Sequence, residues 1–133
     1  MSAARDDVKA RIDAIEESYE FFLAYAAQGL SSDQGAKSGG QLRDFLKQME
    51  EALEGLSDSF RAVVKEDPAA PAGAWDDVLG VLDADASASL ATARLVASRS
   101  GISSQLIDNL NANIHLRALL TDLFLLDDLI DQN

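Results

Sequence analysis

The chain has 133 residues, of which 47% are hydrophobic and 26% charged, a balance typical of one folded globular domain. It contains no cysteine, which excludes disulfides, zinc–thiolate sites, iron–sulfur clusters and thiol nucleophiles. Its net charge is −12, and such a surface repels phosphate groups, so we expect neither a nucleic-acid nor a membrane partner. The same charge favours a basic protein partner.

Four segments carry the helical repeat, with apolar residues at alternating steps of four and three. The first helix is predicted over about residues 3–29, where Gly29 ends it before the polar loop SSDQGAKSGG. The second is predicted over about 40–66, ending before the prolines of EDPAAPAG. The third runs over about 74–99 to SRSGIS, and the fourth over about 103–131.

These segments predict an all-α fold, because no alternating strand pattern occurs in the sequence. Four long helices with short connections indicate an antiparallel up-down-up-down four-helix bundle, one domain over residues 1–133. The sequence has no apolar run long enough to cross a bilayer. The first residues, MSAARDDVKARID, are charged throughout, unlike a secretory signal, so we expect a cytoplasmic protein.

Two predicted helices carry more apolar surface than one buried stripe requires. Phe21 and Tyr25 lie opposite the main stripe of the first helix, and Ile114, Leu125 and Leu129 form a second stripe on the fourth. We interpret these five residues as an interface, with homodimerisation through the first and fourth helices as the simplest arrangement. The alternative is that loops cover the two aromatics and that the fourth helix lies deep in the bundle.

A ligand- or metal-binding bundle is the second hypothesis. The Ala- and Ser-rich stretch DADASASLATA could leave a core cavity, and the candidate ligand-binding residues are Glu16, Glu20, Asp85, Asn113 and His115. The Glu-x-x-His pairs of di-metal bundles are absent from the sequence. We therefore predict no metal site and no cofactor.

Catalytic motifs are also lacking, since neither a Gly-x-Ser-x-Gly elbow nor a phosphate-binding loop occurs. A third hypothesis makes His115 the phosphoacceptor of a histidine phosphotransfer domain. Such domains usually carry a lysine and a small residue soon after the histidine, and Arg117 and Ala118 match this pattern imperfectly. The leading prediction is a non-enzymatic interaction or accessory protein, homodimeric, that engages a partner through apolar helix faces and an acidic surface.

Overall fold

The computed structural model describes residues 2–131, and within this range the chain is all-helical, with no strand. Its helices are α1 (Ala3–Ala27), α2 (Gly39–Leu53), α3 (Leu56–Lys65), α4 (Ala72–Ala97), α5 (Ser104–Ala112) and α6 (Ile114–Asp131). The all-α prediction is confirmed. The prediction of four continuous helices is wrong, because the second and the fourth are each divided in two. Residues 1, 132 and 133 of the predicted domain lie outside the described range.

The first division lies at Gly55, between α2 and α3. Gly55 has a φ of +76°, a left-handed conformation that only glycine adopts without strain. Arg11 of α1 compensates for the interrupted helix, since its Nη1 donates to the carbonyl oxygens of Ala52 (3.2 Å) and Glu54 (2.6 Å). The end of α2 is therefore held by a side chain from a distant part of the sequence.

We expect Gly55→Ala to lower the free energy of unfolding by about 1 kcal/mol, because a side chain at this φ is strained. Gly80→Ala is the matched control: Gly80 lies inside α4 with open space around it, and alanine there should raise stability by about 0.5–1 kcal/mol. Urea titration followed by circular dichroism measures both effects. Equal effects of the two substitutions would contradict the assignment of Gly55 as a helix break.

The second division lies at Asn113, between α5 and α6. Asn113 has an extended backbone with ψ of 131°, and its Oδ1 accepts a hydrogen bond of 3.0 Å from the backbone N–H of His115. Asparagine is among the preferred residues for capping a helix N-terminus in this way. Asn113 therefore ends α5 and caps α6.

The buried apolar residues form one continuous cluster to which all six helices contribute. In this arrangement α1 packs against α2, α3 and α5, whereas α4 packs against α2, α3 and α6. Contact between α1 and α6 is slight, so a groove remains between them. As a result, α6 is covered on its α4 side and open on its α1 side. No helix within residues 2–131 combines the length and the apolar character needed to span a bilayer.

Candidate functional site

Of the two aromatics predicted for the interface on the first helix, Tyr25 is covered within the chain and Phe21 is partly covered. Tyr25 is fully buried, and its hydroxyl donates a 2.6 Å hydrogen bond to the carbonyl oxygen of Ile102. Phe21 is half-buried and stacks on Phe45 of α2, with ring centroids 4.5 Å apart. Tyr25 is thus unavailable to a second chain, because α1 has neighbours on several sides.

A buried polar network joins the loop after α1 to the start of α5. Asp33 is its centre: one carboxylate oxygen accepts from Arg43 Nε (2.9 Å) and the other from the backbone N–H of Ile102 (2.7 Å). The Arg43 guanidinium also donates to the carbonyl oxygens of Ala97 and Arg99, both at 2.8 Å. The hydrogen bond from Arg43 is the main cause that holds the pKa of Asp33 below its usual value, against the opposing effect of burial.

Helix α6 exposes an unusual amount of apolar surface. The exposed fractions are 75% for Ile114, 61% for Phe124, 57% for Leu125 and 39% for Leu129. Isolated exposed leucines are ordinary, but Ile114, Leu125 and Leu129 share one side of α6, and exposed apolar residues grouped in this way mark interaction sites. The structure therefore leaves exposed all three residues that the sequence predicted for an interface on the fourth helix.

Helix α4 carries a second apolar stripe besides its buried one. This α4 seam consists of Val81, Ala84, Ala88, Ala91 and Leu95, at steps of three, four, three and four. Val81 is 54% and Leu95 71% exposed, and of the three alanines only Ala88 is half-buried rather than exposed. No charged residue interrupts the seam, so a second helix could pack along its full length.

The α4 seam and the exposed stripe of α6 lie side by side. Leu129, near the end of α6, shares a surface cavity with Ala74 and Val78 at the start of α4, and Asp122 contacts Asp85 further along, so the two helices are antiparallel. We call the two stripes together the α4–α6 face; the carboxyl pair of Asp85 and Asp122 lies between the two helices. The residues of this face are Val81, Ala84, Ala88, Ala91, Leu95, Ile114, Ala118, Leu125 and Leu129.

Two carboxyl groups meet where α4 packs on α6. Burial raises the pKa of Asp122 to about 7, and the hydrogen bond and negative charge of Asp85 act in the same direction. One carboxyl oxygen of Asp122 is buried with no hydrogen-bond donor among the described residues. Below about pH 7 the Asp122 carboxyl is therefore protonated and can donate a hydrogen bond to Asp85.

The groove between α1 and α6 combines apolar and acidic groups. Its volume is about 490 Å³, and its lining residues are Glu16, Tyr19, Glu20, Leu23, Arg117, Leu120, Thr121 and Phe124. Leu23 is 48% exposed and Phe124 61%. Burial raises the pKa of Glu16, and the charges of Asp13, Asp127 and Glu20 raise it further. The α1 wall therefore carries the negative charges of Glu16 and Glu20, and Arg117 on the α6 wall carries the opposite charge.

The five candidate ligand-binding residues do not form one site. Glu16 and Glu20 line the groove between α1 and α6, whereas Asp85 contacts Asp122 where α4 packs on α6. Asn113 separates α5 from α6, and His115 is exposed in the first turn of α6. Across residues 2–131, no group of three or more histidine, aspartate or glutamate side chains is placed to hold a metal ion. The alanines of the α4 seam face outward rather than lining a core cavity.

Five surface or site residues were not predicted from the sequence: Leu23, Val81, Leu95, Phe124 and Asp122. A search for a second stripe on α4 would have found the seam, because its steps of three and four are complete. The pairing of Asp122 with Asp85 depends on helix packing and leaves no local signal. Comparison of the chain with protein families, with curated proteins and with solved structures finds no match.

Proposed function

We propose that this protein is a non-enzymatic interaction module that forms a homodimer through the α4–α6 face. The supporting observation is the uninterrupted apolar seam of α4 beside the exposed apolar residues of α6. In this proposal α2–α3 and α5–α6 each act as one arm of an antiparallel up-down-up-down bundle, and the breaks at Gly55 and Asn113 bend the arms without separating them.

A second copy of the chain suits this surface because the α4 seam reads nearly the same in both directions. Its order is large, small, small, small, large, from Val81 through three alanines to Leu95. A two-fold axis near Ala88 pairs the seam with itself, as an isologous interface requires. The alanines permit close approach of two α4 helices, and Leu125 and Ile114 of α6 add bulk at the sides.

Light scattering over a dilution series tests the proposal with Ala88→Glu. We expect the wild-type mass to be twice the chain mass of 14.2 kDa and the variant to be a folded monomer, because a buried unpaired carboxylate opposes association. Ser87→Glu is the matched control: it adds the same charge to an exposed neighbouring position outside the seam and should remain dimeric. A monomeric wild type, or a dimeric Ala88→Glu protein, would overturn the proposal.

A further inference from the structure

The groove between α1 and α6 has the features of a binding site for one helix of another protein. We infer that it binds a basic amphipathic helix, whose apolar side chains insert between Leu23 and Phe124 and whose lysines or arginines face Glu16 and Glu20. This inference goes beyond the proposed homodimer, because the groove lies on the side of α6 that faces α1 and not on the α4–α6 face.

The floor and rim of the groove explain the apolar part of this partner. Leu120 at the floor is buried and Tyr19 is half-buried, whereas Leu23 and Phe124 are exposed at the rim. A helix that lies in such a groove places residues at i, i+3, i+4 and i+7 against it.

The charge on the groove wall explains the basic part of the partner. Glu16 and Glu20 are one turn apart on α1, and the negative charges of Asp13 and Asp127 act on Glu16 as well. The nearby Lys9 pairs with Asp127 and Asp131. Arg117, on the α6 wall of the groove, makes no ion pair with either glutamate among the described residues and is not among the charges that shift the pKa of Glu16, so the two glutamates stay unneutralised. A cation brought by the partner would relieve this repulsion, whereas an acidic helix or a second copy of this chain, with its net charge of −12, would increase it.

Fluorescence anisotropy with a synthetic peptide tests the inference. The probe is a labelled helical peptide of about 18 residues with leucines at i, i+3, i+4 and i+7 and lysines on its other face. We expect it to bind the wild-type protein, and we expect the same peptide with glutamates in place of its lysines not to bind. Failure of the lysine peptide to bind at 100 μM would overturn the inference.

Paired variants separate binding in the groove from general attraction to an acidic protein. Leu23→Ser/Phe124→Ser should weaken binding about tenfold, and Val81→Ser/Leu95→Ser, which removes comparable exposed apolar groups from the other face, should change it less than twofold. Equal losses in the two double variants would show that the lysine peptide binds elsewhere and would contradict the inference.

A second pair of variants tests the charges. Glu16→Gln/Glu20→Gln should weaken binding at low salt more than Asp44→Asn/Glu51→Gln, which removes two exposed carboxylates of α2. Equal losses would mean that only net charge matters and would overturn the assigned contacts.

Light scattering tests whether a second copy of the chain occupies the groove instead. Leu23→Ser/Phe124→Ser should give the wild-type mass; a lower mass would show that a second copy binds there and would overturn the inference. The peptide result stands whether the wild type is a monomer or a dimer.

Discussion

Asp33→Asn should lower the free energy of unfolding by about 3 kcal/mol, although Asp33 lies in a loop. Its carboxylate is almost inaccessible and accepts hydrogen bonds from Arg43 and from the backbone of Ile102. An asparagine could retain one of these bonds, but its amide group would then face Arg43 Nε, leaving two donors opposed. Breaking a buried ion pair from one side typically costs about 3–5 kcal/mol, and the partial exposure of Arg43 places the expected value at the lower end.

Chemical denaturation of Asp33→Asn beside Asp44→Asn measures this effect. Asp44 is exposed on α2, so the control removes the same charge and should change stability by less than about 0.5 kcal/mol. Combining Asp33→Asn with Arg43→Met in a double-mutant cycle then isolates the pair, and we expect a coupling free energy above about 1 kcal/mol. Additive effects would mean that Asp33 and Arg43 stabilise the fold independently.

The pH dependence of Asp33 has a definite sign. Its pKa is lowered in the folded protein, so the ionised form contributes stability above the unfolded-state pKa of about 3.9, and this contribution is lost as the pH falls through the folded-state value. Asp33→Asn lacks this titration. Its stability should therefore fall less steeply than that of the wild type below about pH 4.

The helical segments could be predicted from sequence because apolar periodicity is a local property. The predicted outer limits of each segment differ from the observed ones by at most two residues. Neither break was predicted, because the apolar pattern continues across each of them. Leu53 and Leu56, for example, lie on either side of Gly55 and are three positions apart, which is a normal step of the helical repeat. A left-handed glycine and a capping asparagine change the backbone without changing that pattern.

The surroundings of buried polar groups could not be predicted in this way. Asp33 meets Ile102, 69 positions away in sequence, and only the packing of the loop against the start of α5 brings them together. The burial of Tyr25 could not be predicted for the same reason, because its hydroxyl donates to the carbonyl oxygen of Ile102, far away in the sequence. By contrast, the exposure of Ile114, Leu125 and Leu129 followed from a stripe that one seam could not bury.

Asp122→Asn should raise the free energy of unfolding at pH 8. In the wild type at this pH, two carboxylates face each other between α4 and α6 with one buried oxygen of Asp122 lacking a donor among the described residues. An asparagine removes one negative charge and can donate a hydrogen bond from its amide to Asp85. The pKa displacement from 3.8 to about 7 sets an upper limit of about 4 kcal/mol, and screening at this partly exposed position reduces the expected gain to about 2 kcal/mol.

The sign of this effect across pH follows from proton linkage. Asp122 has a raised pKa in the folded protein, so its contribution to stability is complete below the unfolded-state pKa of about 3.9 and is lost as the pH rises to about 7. Over this window the native state binds more protons than the unfolded state. Asp122 should therefore contribute at most about 1.4 kcal/mol per pH unit to the decline in wild-type stability, and Asp122→Asn should remove that contribution.

Melting temperatures of wild type, Asp122→Asn and the exposed control Asp83→Asn between pH 3 and pH 9 test the assignment. The control should follow the wild-type slope, because Asp83 lies on the solvent side of α4. Since Asp33 contributes stability above about pH 4 and Asp122 does so below about pH 7, the wild-type maximum should lie near pH 4–5, on the acid side of most proteins. A wild-type maximum at neutral pH, or an Asp122→Asn protein less stable than wild type at pH 8, would contradict the raised pKa of Asp122 between α4 and α6.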